Sequence, residues 1–261
     1  MLIHLVNLGR VPYSEALEIQ RRVVEARKHL LIGDTLLLLE HPPVLTLGRN
    51  ASRSNILVSD EYLAQQGVEV HEVNRGGDVT YHGPGQLIGY PIIDLRGDLP
   101  GKRGPHLGPV DFVRLLEDVL IRTCADFGVL TERICRRTGV WTLPGGAILA
   151  KKVAAIGVHV SGGITSHGFA LNVSTDLRDF EWIVPCGISD RQVTSLELES
   201  PSDMAPEQQP TMETAFNSTA RNFGRVFGRQ MLLVPLLTDL LPSASGGSGP
   251  YNPVLRDLLH T

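Results

Sequence analysis

The sequence predicts a mixed α/β domain. Three observations point there: 42% of the 261 residues are hydrophobic, enough to fill a sizeable core; several segments carry an apolar period of helical spacing; and short apolar runs of strand length lie between them. After an apolar opening from Leu2 to Leu8, Ile19, Val23, Ala26 and Leu30 recur at helical spacing. This predicts an amphipathic helix capped by Ser14 and stopped at Gly33. Thr35 to Leu39 and Val44 to Leu47 are strand-length runs separated by His41-Pro42-Pro43, a corner no helix crosses. Ser59, Asp60 and Glu61 start a short helix ending near Gly67, and Val68, Val70 and Val73 approximate strand alternation. The strongest helix signal lies between Leu107 and Gly128, where Phe112, Leu115, Leu116, Val119, Leu120, Cys124 and Phe127 share one face. Val153 to Val160 and Phe169 to Val173 read as strands around a Gly162-Gly163 turn, and Met212 to Phe227 as a last helix. Glu197 to Gln209, acidic and proline-rich, reads as a loop. From Pro242 the composition shifts to Ser, Gly and Pro, too poor in apolar side chains to offset the entropy of ordering. The expected organisation is one catalytic domain over residues 1–235 and a flexible tail over 236–261.

Charge and composition then exclude several partners. The net charge of −4 sets up no global attraction for polyanions, so nucleic acid is not an expected partner. Three cysteines without a CxxC pair make no disulfide framework, and a reducing cytoplasm is the expected location. No basic leader precedes an apolar stretch, and no apolar run approaches the ~20 residues that span a bilayer, so neither secretion nor a membrane partner is expected. The nine histidines include no HExxH spacing and no Cys/His cluster, so no metal is expected.

Two regions carry chemistry. The run Arg75-Gly76-Gly77-Asp78-Val79-Thr80-Tyr81-His82 continues into GPGQ, placing four glycines within twelve positions. Glycines let a ligand approach the main chain, and Tyr81 and His82 can line a pocket; a pair of tight turns accounts for the same residues. Neither GxxxxGK[ST] nor GxGxxG is present, so phosphate loops do not explain it. The second region joins Cys186, between Pro185 and Gly187, with Lys152, which enters the small and β-branched run VAAIG. A thiol at the mouth of a turn can be reached, and following N–H groups can hold an oxyanion. A lysine entering a buried strand needs a partner or loses its proton, unless its stem snorkels to solvent. Cys124, on the apolar stripe of the central helix, reads as a buried small hydrophobe. Cys186 and Lys152 are 34 residues apart, and spacing alone does not bring them together.

The ordered motifs RGGDVTYHGPGQ, KKVAAIGVHV, SHGFALNV and PCGISDRQVTSL closely resemble the octanoyl-[acyl-carrier-protein]:protein N-octanoyltransferases, or lipoyl(octanoyl) transferases, of lipoate biosynthesis. The resemblance spans roughly residues 5 to 200. It implies the mixed sheet and flanking helices of biotin and lipoate protein ligases. It also implies Cys186 as nucleophile, Lys152 as the group that lowers its pKa, and substrate contacts from Arg75, Gly76, Gly77, Asp78, Val79, Thr80, Tyr81 and His82, from Ala155, Ile156 and Gly157, and from Gly168, Phe169 and Ala170. No cofactor is implied. The expected reaction moves an octanoyl group from octanoyl-acyl carrier protein, through a cysteine acyl-thioester, to a lysine of lipoyl domains. The implied acceptors are 2-oxoacid dehydrogenase E2 subunits and the glycine cleavage H protein, and the enzyme is expected to act as a monomer. Either Lys152 or His82 can take the proton of the acceptor lysine, and N–H groups near Gly187 or in the Gly76-Gly77 loop can hold the oxyanion. Arg133, Arg136, Arg137, Lys151, Lys102 and Arg103 are candidate contacts for an acidic carrier. Competing readings are an ATP-dependent lipoate or biotin protein ligase, a lipoyl-domain amidotransferase and a non-enzymatic acyl-binding module.

Overall fold

The structure, a computed structural model, describes residues 2–102, 104–143, 149–184 and 192–241. The first half of the chain runs β1 (Leu2–Arg10), α1 (Tyr13–Lys28), β2 (Thr35–Glu40), β3 (Val44–Leu47), α2 (Asp60–Gln65), β4 (Glu69–Glu72), β5 (Val79–His82) and β6 (Gln86–Ile92). Next come α3 (Pro109–Asp126), β7 (Thr131–Ile134), β8 (Arg137–Thr142), β9 (Lys152–Ser161) and β10 (Ile164–Asn172). The chain continues through α4 (Leu196–Glu199), α5 (Met212–Phe227), β11 (Gln230–Leu233) and α6 (Leu237–Leu240). Eight strands form one sheet in the order β11-β1-β2-β6-β10-β9-β8-β7, and three form a second, β4-β3-β5. In the large sheet β11, β1 and β2 are parallel, while the remaining neighbours pair antiparallel.

β2, TLLLLE, is a continuous apolar run because both its faces are covered. Leu36 and Leu38 join Leu87, Phe169 and Leu171 against Phe112 and Leu116 of α3 and Phe223 and Phe227 of α5. The Phe223 and Phe227 rings stack with centroids 4.2 Å apart, and Phe112 meets Phe227 edge-on. Leu37 and Leu39 turn the other way, toward Ile88, Tyr90 and Ala170 and toward Ile19, Val23 and Ala26 of α1. A third cluster, with Leu45, Val79, Tyr81 and Phe180, lies under the small sheet.

Several expected details change. α1 starts at Tyr13 behind Pro12 and no side chain caps it, so Ser14 lies within the first turn and is not its cap. The His41-Pro42-Pro43 corner does more than turn: it carries the chain from one sheet to the other, since β2 and β3 share no ladder. The segment read as a loop from Glu197 overlaps α4, whose Ser195 cap accepts from the Leu198 N–H. The expected boundary at 235 falls inside packed structure, because α6 follows and Leu240 and Leu241 are buried beside α1. Residues 242–261 of the expected tail lie outside the described residues.

Candidate active site

A narrow cleft, partly open to solvent, lies between the small sheet and the α1 side of the large one. Its walls come from Arg75–Gly77, Asp78, Val79, Thr80 and His82, from Ala155, Ile156 and Gly157 of β9, and from Gly168, Phe169 and Ala170 of β10. Three segments distant in sequence thus share one cavity. The loop is fastened to the strand: the Gly76 N–H donates to the Val158 carbonyl at 3.0 Å. This close approach requires glycine at 157, where a Cβ would stand 2.7 Å from the Gly76 oxygen. Gly89 does the same for Phe169, whose ring occupies the space a Cβ would take.

Tyr81 departs from expectation and does not line the cleft. Successive residues of a strand face opposite ways, and its ring turns into the third cluster against Phe180 and Trp182, with its hydroxyl 2.5 Å from Asp179 Oδ2. Sequence reasoning in turn missed Tyr13, Ile88, Tyr90 and His167, all of which line the cleft. His167 has a left-handed backbone, φ +55°, inside β10. Its N–H donates to Gln20 Oε1 at 2.8 Å, and its Nε2 is 2.7 Å from Asn74 Oδ1, an acceptor that assigns the proton to Nε2.

A polar chain runs behind the cleft. The buried Arg75 guanidinium donates to the Thr46 carbonyl and hydroxyl, and Thr46 Oγ1 lies 3.4 Å from His82 Nε2. His82 Nδ1 donates to Gln86 Oε1, whose amide nitrogen donates to Asn172 Oδ1, and Asn172 donates to the Thr194 carbonyl. Burial holds the imidazoles neutral: His82 falls to about 3, and His41 and His167 each to about 4. His41 is further fixed between the Val11 carbonyl and the Tyr90 hydroxyl.

A second cavity shares Thr80, Ala155 and Ala170 with the cleft and is also lined by Lys152 and Val193. Lys152 is buried, with its Nζ 4.7 Å from the centroid of the Trp141 ring. Its main chain is clamped by the returning segment: the Lys152 N–H donates to the Gln192 carbonyl and its carbonyl accepts from Thr194 N–H, both at 2.9 Å. On the other side of the gap, the Val184 N–H donates to the Asn55 carbonyl. Cys186, the expected nucleophile, and Gly187 lie outside the described residues, which resume at Gln192. Cys124 is buried with its thiol pushed up to about 12, chiefly by desolvation, as its place on the helix stripe predicts. Of the basic residues considered for docking, Arg133 is paired with Glu117 and Asp118, Lys151 with Glu199, and Lys102 donates to two carbonyls. Among the described residues no three His, Cys, Asp or Glu side chains group to hold a metal, and no helix is long and apolar enough to cross a membrane.

Residues 12–222 match the family model of the lipoyl protein ligase A/B catalytic domain. The octanoyltransferase of Acidobacterium capsulatum is 65% identical over 243 residues, 93% of this chain and 97% of that protein. The chain belongs to the octanoyltransferase family. As a member of this family it is an enzyme, an acyltransferase. A second family member, the octanoyltransferase of Koribacter versatilis, is 51% identical over 93% of this chain and 91% of its own length. Among solved structures, the bi-partite lipoate protein ligase of Thermoplasma acidophilum superposes with a TM-score of 0.66 at 14% identity, covering 92% of this chain and 90% of that one. A lipoate-protein ligase A bound with ATP gives 0.66 at 13%, covering 90% of each. At such identities these two share the family's fold, the mixed sheets flanked by helices described above.

Proposed function

We propose that this enzyme moves an octanoyl group from the thioester of an acyl carrier protein to a lysine of a lipoyl domain, by way of an acyl-thioester on Cys186. Convergence carries the reading: residues 75–80 and 82, 155–157 and 168–170 wall one cleft, and the cavity that shares Thr80, Ala155 and Ala170 with it reaches the buried Lys152. Small side chains leave an acyl chain room along β9 and β10, and the imidazoles around it are neutral, which suits an uncharged guest.

Lys152 as an ammonium favours the thiolate of Cys186. The thiolate attacks the carrier's carbonyl carbon, the bond from that carbon to the pantetheine sulfur breaks, and the departing thiolate takes a proton from Lys152. The neutral amine of the acceptor lysine then attacks the acyl-enzyme. An amide forms, the bond to the Cys186 sulfur breaks, and the amine's proton passes to Lys152, now neutral. His82 suits that last role poorly, since a nitrogen at about 3 is a weak base near neutrality and its other nitrogen is engaged by Gln86. The Gly76 N–H is committed to Val158, so the oxyanion needs a donor other than Gly76. Thioester to amide runs downhill and requires no nucleotide. A cysteine nucleophile fits a reducing cytoplasm.

Intact-mass analysis after mixing the enzyme with octanoyl-carrier, without ATP, tests the reading. One added octanoyl mass that maps to Cys186, and leaves on addition of a lipoyl domain, is expected. Acylation that needs ATP, or that persists in Cys186→Ser with transfer intact, overturns it.

A further inference from the structure

Lys152 is buried, yet the mechanism asks it to carry charge, and its surroundings contain a device suited to that demand. We propose that Trp141 is a positioning residue for Lys152, its indole face holding the ammonium in one place and in its charged form. The proposal rests on the reading of Lys152 and Cys186 as the reacting pair.

The geometry is specific. Nζ lies 4.7 Å from the ring centroid, within cation–π range, and Trp141 is only 1% exposed, so little water competes for the contact. The pairing that brings them together depends on an irregular ladder. Val140 of β8 pairs with Ala154, but Trp141 pairs with Lys152, so Val153 is an extra residue on β9. Without that bulge Val153 would stand opposite Trp141; with it, Val153 joins the core beside α3 and Lys152 meets the indole.

β8 is held in this register from behind. Glu117 of α3, fully buried, accepts from the Gly139 N–H at 3.2 Å and is itself bound by Arg114 at 2.6 Å and Arg133 at 3.0 Å. Gly139 has φ +121°, and a Cβ there would stand 2.6 Å from the Ala154 oxygen and 3.5 Å from Lys152 Cε, so the lysine stem passes over the glycine. The indole N–H donates to the Arg137 carbonyl at 3.2 Å, which sets the plane of the ring. Backbone, stem and head of Lys152 each have a named partner. Among the described residues, the charged groups on the adjoining elements include Glu132 of β7, the cross-strand partner of Trp141, Arg137 of β8, the Glu117 carboxylate with its two arginines, and Lys151, paired with Glu199.

The test reads the thiol, not only turnover. In a background where the exposed free cysteine Cys135 is replaced by serine (Cys135→Ser), alkylation of Cys186 is followed across pH by mass mapping, with melting temperature recorded for each variant. Lys152→Met sets the scale and is expected to raise the apparent pKa of the thiol. Trp141→Leu is expected to slow alkylation near neutrality by about 5- to 30-fold and to lower kcat with the KM for carrier unchanged. Trp141→Phe, which keeps a π face, restores most of the rate, and Glu117→Gln falls between. An unchanged alkylation profile in Trp141→Leu, with Lys152→Met shifted, overturns the role of the indole alone. An unchanged profile in Lys152→Met overturns the reading of the reacting pair, and this proposal with it. Should Trp141→Leu fail to fold, Trp141→Met decides, since it fills the core without a π face; a profile identical to wild type in Trp141→Met rejects the proposal.

Discussion

The two faces of the eight-stranded sheet are made by the same strands and end in opposite states. Along β10 and just past its end, Leu171 and Val173 enter the core against α3 and α5, Phe169 joins that core while an edge of it reaches the cleft, and the alternate residues Gly168 and Ala170 line the cleft. One face is filled with phenyl rings, and the other is kept open by residues with little or no side chain. A period of two therefore lets one short string, GFALNV, write a core and a cavity together, with the large residues securing the strand that the small ones leave uncovered.

Substitutions at neighbouring positions can separate the two. Leu171→Ala, on the filled face, is expected to cost about 2–5 kcal/mol of stability in urea titrations while the folded fraction still accepts an acyl group. Ala170→Leu, one residue away where the α1-side cluster meets the cleft, should cost less stability, about 1–3 kcal/mol, but lose octanoyl loading relative to butyryl loading by about tenfold or more. If Leu171→Ala shifts that chain-length preference as much, the faces are not independent. A smaller effect distinguishes the faces by pH. His41, His82 and His167, on or beside the cleft face, stay neutral down to about 4, 3 and 4, whereas the unfolded chain protonates histidine near 6.5. The unfolded state thus binds more protons in that interval, so stability is complete above about 6.5 and falls as the pH drops toward 4. Melting temperatures between pH 7.5 and 5 measure this, and a flat profile would contradict the burial. The smallest effect belongs to the outer surface. Charge removal at Arg136 and Arg137 together should slow transfer from the carrier a few-fold at low salt and flatten its salt dependence. Rates unchanged at low salt would place docking elsewhere, a sharper question now that Arg133 and Lys151 are seen paired with carboxylates.

Much of this was legible in the chain where local pattern and tertiary role coincide. β3 and α5 have the bounds that their apolar runs predict, and α3 differs by only a residue or two at each end. The cleft segments were found through the motifs, and all but Tyr81 line it. β6 was missed because Gly89 and Pro91 punctuate QLIGYPI, although it is a buried strand between β2 and β10. Its glycine answers to Phe169, far along the chain, and no local rule reports that. The switch of sheets at His41, the bulge at Val153 and the Trp141–Lys152 contact likewise depend on pairings that a single strand's pattern does not contain.

His167 adds a last consequence. A non-glycine residue in the left-handed region carries a cost of about 1–2 kcal/mol, met here by ties to Gln20 and Asn74. Glycine at this position would relax the backbone, yet it would strip the imidazole from the cavity wall, leave Asn74 Oδ1 without its donor and open a hole beside Tyr90. The strained backbone and the shape of the guest's enclosure therefore come together, and selection for thermal tolerance gains nothing by removing this ring.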